Sequence, residues 1–304
     1  MKVALLSGGV GGARFARGLR DVVPPGELTI VGNVGDDVEI LGLHVSPDLD
    51  SLLYTLAGLS DEERGWGRAG ETWNGLSAAA EWGGEDWFRL GDLDLGLHLV
   101  RTHALRNGAS LSELTASLGE RAGLELRILP ATDDRLRTHV VTPAGAFPFQ
   151  EWFVGRGHRD EVDRVVFEGA DAARAAPGVL EALDSAEAIV IAPSNPYVSI
   201  GPILAVAEIR SAVERRRVRC VAVSPLIGGA AVKGPADRML ARMAGGTTPS
   251  HVARCYEGLL DALVVDEADA PADAPVELVV TKTLMGDLDA SRRLASVVLE
   301  AACG

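Results

Sequence analysis

Short runs of consecutive apolar residues alternate with helical patterns along most of the chain. Six of these runs, rich in β-branched residues, predict buried strands: residues 3–6, 28–31, 188–192, 218–223, 263–265 and 278–280. Helical spacing of apolar residues follows several of them, over residues 201–213, 235–243 and 250–260, and a last helix is expected over 289–301. Strands that alternate with helices indicate an α/β fold, in which a Rossmann-like, mostly parallel sheet carries helices on both faces.

The middle of the chain shows a different pattern. Residues 60–125 lack strand signals and predict helices at 95–105 and 111–122, whereas residues 124–168 contain short extended pieces at 126–129, 139–142 and 165–167. We therefore expect a single α/β domain over residues 1–304, in which residues 60–170 form an inserted cap over the ligand crevice.

Composition and charge narrow the class of protein. The chain has 304 residues and a net charge of −14, which argues against nucleic-acid binding because such binding depends on neutralising phosphates. Its three cysteines are scattered and show neither metal spacing nor a disulfide framework. No apolar run approaches the ~20 residues of a membrane helix, and Met1 leads directly into a strand without a signal-peptide pattern. We expect a soluble, cytoplasmic protein.

A glycine-rich turn between the first strand and the first helix predicts an anion site. Gly8, Gly9, Gly11 and Gly12 exceed what a turn needs, and the backbone amides and dipole of a helix start favour a phosphate. A P-loop is disfavoured because no Gly-Lys-Ser/Thr ending follows. The dinucleotide fingerprint matches only in part, because Arg14 takes the place of its third glycine. A tight turn without a ligand is the alternative.

Two acidic turns follow within the next forty residues. Asp36 and Asp37 stand just after the second strand, and Asp48 and Asp50 stand at the start of the next helix. Carboxylate oxygens are ligands that Mg²⁺ prefers, so the two turns together predict a metal site at the sheet edge. The alternative is local capping, since Ser46 followed by proline makes an ordinary helix start.

A second candidate anion site follows the strand at 188–192. Ser194 and Asn195 supply hydroxyl and amide groups, and Gly201 stands near the start of the next helix. Lys233, after the following strand, offers a point charge to a phosphate. The alternatives are a proline-stiffened loop and a solvated lysine.

Tryptophans in the cap stand beside flexible and polar positions. Trp66 lies between Gly65 and Gly67, and Trp73 precedes Asn74. Such rings can stack on a flat ligand, although most buried aromatic residues belong to a core. The histidines form no catalytic pattern, and we expect His98 to be structural.

Ten segments, spread over almost the whole chain, resemble those of the 2-phospho-L-lactate transferase family of deazaflavin coenzyme biosynthesis. They are 7–14 (SGGVGGAR), 33–37 (NVGDD), 46–50 (SPDLD), 64–67 (RGWG), 90–94 (LGDLD), 138–139 (TH), 149–152 (FQEW), 192–196 (APSNP), 199–203 (SIGPI) and 224–229 (SPLIGG). Leu93 departs from the family pattern, which usually carries Arg there, and Arg89 is a candidate substitute.

The resemblance implies a reaction and its participants. Such enzymes transfer the phosphoryl-bearing half of a guanosine-diphospho-activated three-carbon acid, phospholactate or phosphoenolpyruvate, to the deazaflavin Fo, and GMP leaves. For this chain it implies Asp50 and Asp37 as catalytic residues and Mg²⁺ ligands. It places Asp50, Arg89, Trp66 and Asp92 at the deazaflavin, and the product would be coenzyme F420-0 or its dehydro form. We expect a homodimer, the commonest oligomer.

Two other functions stay open on the sequence. One is a regulatory relative that binds a nucleotide sugar without catalysis. The other is an NAD-dependent oxidoreductase, which is suggested by the partial fingerprint at Gly9 and Gly11 and by an acidic residue after the second strand.

Overall fold

The computed structural model describes residues 1–304 and contains fourteen strands and eleven helices. The strands are β1 Val3–Ser7, β2 Leu28–Gly32, β3 Val38–Ile40, β4 Leu43–Val45, β5 Arg127–Pro130, β6 Arg137–Thr142, β7 Gly145–Pro148, β8 Arg164–Glu168, β9 Ala188–Ile191, β10 Cys220–Val223, β11 Leu226–Ile227, β12 Ala230–Ala231, β13 Ala262–Asp266 and β14 Glu277–Thr281. The helices are α1 Gly9–Val22, α2 Pro47–Leu56, α3 Asn74–Glu81, α4 Asp92–Arg106, α5 Leu111–Arg121, α6 Val179–Ser185, α7 Gly201–Ala205, α8 Ala207–Glu214, α9 Ala236–Met243, α10 Pro249–Arg254 and α11 Leu288–Cys303.

Seven strands form one sheet in the order β14-β13-β10-β9-β1-β2-β5, and every neighbouring pair is parallel. Every residue of β1, β2, β9, β10 and β13 is buried. Because successive side chains of a strand point to opposite faces, the sheet is covered on both sides. The predicted α/β fold class is confirmed.

One extended piece of the middle region belongs to this sheet. The run at 126–129, expected in the cap, forms β5 and pairs in parallel with β2 as the edge strand. The predicted insertion at 60–170 is therefore interrupted by a strand of the main sheet. Helix 201–213 is also divided, because the extended backbone of Val206 separates α7 from α8.

The sheet order places a ligand crevice beside β1. Chain segments after β1 build β2 on one side, whereas β9 joins β1 on the other side. Ligands of open parallel sheets bind outside the carboxyl ends of the strands at such a switch point. The glycine turn after β1 and the loop after β9 both enter this crevice.

The remaining strands make small sheets around the crevice. β3 and β4 form a hairpin before α2, and β6, β7 and β8 form a three-stranded antiparallel sheet. A separate buried cluster joins this sheet to the loop after β9: Val140, Phe149, Trp152, Val162, Val198 and Met239. None of the eleven helices has both the length and the apolar character needed to span a membrane.

Candidate active site

The glycine turn joins β1 to α1 where the crevice opens. Gly8 is the N-cap of α1, whose first turn contains no acidic residue. A Cβ on Gly8 would lie 2.5 Å from Asp48 Oδ2, and a Cβ on Gly12 would lie 2.4 Å from Ser7 Oγ. The backbone N–H of Gly9 donates to the Asp48 carboxylate. The turn therefore packs closely against a carboxylate from α2, at a helix start that favours negative charge.

Asn33 connects the two acidic turns. Its buried Nδ2 donates to Asp48 Oδ2 at 2.9 Å and to Asp36 Oδ1 at 3.2 Å, and its Oδ1 accepts the backbone N–H of Gly35 at 2.7 Å. Gln150 Nε2, from the segment after β7, donates to Asp36 Oδ2 at 3.0 Å. The turn after β2 and the start of α2 are thus held together by amide side chains.

Four buried carboxylates converge at this point: Asp36, Asp37, Asp48 and Asp50. Burial raises the pKa of Asp36 well above its ordinary value, and the neighbouring Asp48 and Asp37 raise it further. Burial also raises the pKa of Asp48 to about 6, although hydrogen bonds from Asn33 and Gly9 oppose that change. Burial is therefore the main reason that these two carboxyl groups lose their protons less readily than an exposed aspartate.

Asp50 is paired with a buried arginine of α4. Arg101 Nη1 donates to Asp50 Oδ2 at 2.9 Å, and Nη2 donates to Oδ1, so the guanidinium holds both carboxylate oxygens. Arg101 is 2% exposed. Burial opposes its charge, but Asp50 beside it raises the pKa of Arg101. This pair joins α2 to α4.

Beside the ion pair, His98 lies between two carboxylates. Its Nδ1 is 3.3 Å from Arg101 Nη1, which can only donate, so Nδ1 accepts and the neutral ring carries its proton on Nε2. Nε2 faces Asp94 Oδ1 at 3.8 Å. Burial is the largest factor that lowers the pKa of His98, to about 4, so the ring is neutral at pH 7.

Asp94 and Asp92 both lie in the first turn of α4 but have different hydrogen-bond partners. Tyr54 donates its hydroxyl proton to Asp94, whose pKa burial raises to about 6. Asp92 instead accepts the Gly75 N–H at 2.9 Å and the Thr72 hydroxyl, and so it binds the start of α3. Asp94 lines the cavity, whereas Asp92 does not.

The loop after β9 meets the glycine turn directly. Ser194 Oγ donates to the Gly8 carbonyl at 2.6 Å. Asn195 Oδ1 accepts the Tyr197 N–H at 2.9 Å. Gly201 lies behind this loop, and a Cβ there would be 2.9 Å from the Phe167 ring. Ser194 and Asn195 border the crevice, whereas Gly201 is needed for packing.

Many of these groups line one cavity of about 630 Å³. The basic side chains Arg14 and Lys233 line its wall near the glycine turn. Lys233 Nζ donates to the Gly65 carbonyl at 3.0 Å, and burial together with the nearby Arg14 lowers the pKa of Lys233. The cavity therefore has a basic wall and a carboxylate-rich wall.

Aromatic rings and guanidinium groups form another part of the wall. Trp66 and Arg89 line the cavity. The Arg64 guanidinium lies 5.3 Å from the Trp66 ring centre and 4.9 Å from that of Trp73. The Arg89 guanidinium lies 5.3 Å from the Trp73 ring centre. Cations over ring faces fix the orientation of both groups.

The structure brings most of the predicted site residues to this cavity. Its lining includes Gly8, Gly9, Gly11, Asp50, Trp66, Arg89, Ser194, Asn195 and Lys233. Four others lie outside the lining: Gly12, Asp37, Asp92 and Gly201. Asp37 is directly behind it, where Oδ2 accepts from Ser46 Oγ at 3.0 Å.

Several lining residues were not identified from the sequence, including Tyr54, Asp94 and His98, and neither was Arg101 behind them. Helical spacing contains a signal for them. Tyr54 follows Asp50 by four residues, whereas His98 and Arg101 follow Asp94 by four and seven, so each set shares one helix face.

The residues also permit a test of the predicted Mg²⁺ site. No three His, Cys, Asp or Glu side chains are arranged to hold a metal ion by themselves. However, Asp37 Oδ1 is buried without a hydrogen-bond partner, and Asp48 and Asp50 line the cavity. Mg²⁺ commonly binds one or two carboxylates together with substrate phosphates, so this donor set fits the ion.

Comparison with known proteins indicates the family of the chain. A family model described as "2-phospho-L-lactate transferase CofD" matches residues 3–299. Over 313 residues, the chain is 44% identical to the phosphoenolpyruvate transferase of Streptomyces griseus subsp. griseus, covering 99% of this chain and 98% of that protein. It is 42% identical over 317 residues to the phosphoenolpyruvate transferase of Thermobifida fusca, covering 99% and 98%.

Among solved structures, the chain is similar to a member of the UPF0052 family from Bacillus halodurans. The TM-score is 0.65 at 17% sequence identity, and the likeness covers 98% of this chain and all of that one. At this identity the likeness supports the α/β fold.

Proposed function

The chain belongs to the 2-phospho-L-lactate transferase CofD family, and we propose that it transfers a phosphoenolpyruvyl group to the deazaflavin Fo. The donor would be the guanosine-diphospho-activated form of the acid. The products would be GMP and dehydro coenzyme F420-0. We prefer phosphoenolpyruvate to phospholactate as the transferred acid, because relatives that are more than 40% identical over nearly their whole length are named phosphoenolpyruvate transferases.

The proposed reaction is a substitution at phosphorus. The terminal ribityl oxygen of Fo attacks the phosphorus that carries the three-carbon acid, and an O–P bond forms. The bond from that phosphorus to the bridging oxygen breaks, and GMP leaves with the electron pair. The hydroxyl proton passes to solvent or to a neighbouring carboxylate. Such chemistry depends mainly on positioning and charge stabilisation.

The glycine turn and the basic wall suit the donor. Gly9 and Gly11 line the cavity at the start of α1, where the helix dipole favours phosphate oxygens. Lys233 and Arg14 add positive charge on the same side. Ser194 fixes the Gly8 carbonyl and thereby the conformation of the turn. We propose that these groups hold the diphosphate.

The aromatic wall and Asp50 suit the acceptor. Trp66 and Arg89 offer flat surfaces to the deazaflavin ring. Asp50 would accept the hydrogen bond of the attacking hydroxyl, since each carboxylate oxygen has a second lone pair beside its bond to Arg101. Because Arg101 holds both of its oxygens, Asp50 is placed to orient the attacking hydroxyl.

Mg²⁺ would be held by Asp37 and Asp50, with Asp36 and Asp48 adding negative charge. When bound, the ion would neutralise charge on the diphosphate. The chain's own contribution is to keep these carboxylates buried and ordered through Asn33 and Gln150.

A single observation carries the proposal: the carboxylate group, the glycine turn and the aromatic wall surround one cavity in a chain of this family. The test is a mass measurement of the product formed from Fo with each activated acid, together with quantification of GMP. We expect a phosphoenolpyruvyl product and equimolar GMP. A phospholactyl product would change the donor, and absence of any Fo adduct with either acid would contradict the proposal.

The metal is tested separately. We expect excess EDTA to stop transfer and added Mg²⁺ to restore it. Undiminished transfer in EDTA would exclude an essential divalent ion.

A further inference from the structure

We propose that Arg101 is a positioning residue for the transfer reaction, which acts by fixing the Asp50 carboxylate at the cavity wall. The inference rests on the proposed function, because Asp50 is assigned there to the acceptor hydroxyl. Arg101 lies behind the cavity, and it stands outside the ten segments that resemble the transferase family.

The geometry of the Arg101–Asp50 pair restricts both the position and the orientation of the Asp50 carboxylate. Arg101 binds both carboxylate oxygens, one through each terminal nitrogen. A bidentate pair fixes the plane of the carboxylate as well as its position, which a single contact does not do. Because Asp50 lies in the first turn of α2 and Arg101 in the middle of α4, the pair also sets the distance between the two helices.

The environment favours a role in orientation over one in stability. Arg101 is 2% exposed, and its Nε has no hydrogen-bond partner in the protein. Desolvation of such a pair often outweighs its attraction, and apolar residues of similar size can replace buried pairs without loss of stability. A pair that borders a ligand cavity instead holds one of its members in a defined position.

Neighbouring groups keep the guanidinium itself in place. His98 Nδ1 lies 3.3 Å from Nη1 and so accepts from the same nitrogen that binds Asp50 Oδ2. His98 is one turn before Arg101 on α4, and its ring is also buried. The neutral ring therefore limits the rotation of Arg101 without competing for Asp50.

The charges near the Asp50–Arg101 pair give a further reason for this role of Arg101. Asp37 and Asp48 are buried near the Asp50–Arg101 pair, and a carboxylate charge on either repels that of Asp50. In such surroundings an unpaired Asp50 would turn away from its neighbours. Arg101 supplies the opposing charge and leaves Asp50 facing the cavity.

The first experiment compares Arg101→Met and Arg101→Lys with wild type for kcat, for KM of donor and of Fo, and for thermal stability. We expect Arg101→Met to lower kcat about 100-fold, the size of effect caused by a misplaced group, while KM for the donor changes less than about threefold. Arg101→Lys restores charge but not the fork, and we expect it to recover about tenfold of that loss.

Arg216→Met is the matched control. Arg216 is 10% exposed in its side chain, pairs with Asp261 at 2.8 Å and lies away from the cavity. We expect its kcat to equal that of wild type. Equal kcat values for Arg101→Met and wild type would overturn the inference, as would a loss of activity that follows the melting temperature in both variants. If Arg101→Met does not fold, Arg101→Lys decides, and an unchanged kcat overturns the inference.

A double mutant shows whether Arg101 acts through Asp50. If it does, Asp50→Asn/Arg101→Met and Asp50→Asn differ by less than about threefold in kcat, because groups that act as a unit are not additive. Additive losses would overturn the inference. Wild-type transfer is measured first, so a failure of the proposed function is recognised before the variants are compared.

Discussion

At the scale of single residues, burial raises the pKa of Asp36, Asp48 and Asp94. Asp94 is the clearest case, because burial raises its pKa to about 6 while the Tyr54 hydroxyl opposes the change. Its folded-state pKa thus exceeds the value near 3.9 of an unfolded chain. Ionised Asp94 destabilises the folded state, and the full cost is present above pH 6.

We therefore expect Asp94→Asn to be more stable than wild type at pH 8 by about 1–3 kcal/mol. The folded state binds more protons than the unfolded state between pH 4 and 6, so the stability of the wild type falls as pH rises through that window. The gain from Asp94→Asn should accordingly shrink as pH falls towards 4. Urea unfolding at pH 8 and pH 5 measures both values.

Asp92→Asn is the control on the same helix. Asp92 accepts hydrogen bonds from Thr72 and from the Gly75 N–H, which lower its pKa. Its substitution should bring no gain at pH 8. An equal gain from both variants would show that burial of Asp94 is not the cause.

Asp50 is the residue on which the proposed reaction depends most. We expect Asp50→Asn to lower kcat for GMP release in the presence of Fo by about 1,000-fold, to a residual rate that is still measurable, because the amide has one acceptor oxygen in place of two and cannot balance the charge of Arg101. A near-wild-type far-ultraviolet circular dichroism spectrum would show that the fold persists. Turnover close to wild type would remove Asp50 from the site.

At this scale the sequence identifies residue types better than their orientation. Asp50 and Trp66 were predicted from local motifs and line the cavity. Asp92 and Asp94 stand two positions apart, and only the turn of the helix decides which faces inward. Arg101 was not recognised because its partner is 51 residues away, a distance that no local pattern spans.

At the scale of elements, the packing of α1 on α11 depends on a close approach. A Cβ on Gly18 of α1 would lie 2.4 Å from the backbone oxygen of Ser291 in α11. The backbone cannot move aside as a flexible side chain can. The absence of a side chain at this point of α1 lets the two helices pack on the sheet.

Gly18→Ala is therefore expected to lower the free energy of unfolding by about 1–3 kcal/mol, although alanine is the better helix former. Gly96→Ala is the matched variant, since a Cβ on Gly96 of α4 would meet nothing within 4 Å. It should raise the free energy of unfolding by about 0.5–1 kcal/mol. Urea denaturation compares the two, and a Gly18→Ala protein as stable as wild type would contradict the close approach.

The positions of the main-sheet strands were predicted well, whereas the place of the edge strand β5 in that sheet was not. The buried strands β1, β9 and β10 appear in the sequence as continuous apolar runs, because both of their faces are covered. β5 has four residues, begins with an exposed arginine and follows a helical region. Its place in the sheet depends on pairing with β2, which is separated from it by about a hundred residues.

At the scale of the whole molecule, sheet topology brings distant motifs to one cavity. The order β9-β1-β2 places the loops after β9 and β1 side by side, and α4 closes the carboxylate wall across from them. The presence of a ligand crevice follows from the strand-helix alternation. The composition of its walls depends on contacts between segments more than a hundred residues apart, such as Ser194 with Gly8.

The proposed function predicts which nucleotide stabilises the protein. A ligand that binds only the folded state adds about 2.7 kcal/mol at 100 times its Kd, so the melting temperature should rise with GDP concentration. NAD at the same concentrations should leave it unchanged, because Arg14 stands where the dinucleotide fingerprint needs its third glycine. Lys233→Met should weaken the GDP response, since Lys233 supplies charge to the wall beside the glycine turn. Differential scanning fluorimetry measures all three, and stabilisation by NAD without a response to GDP would favour an oxidoreductase over the transferase.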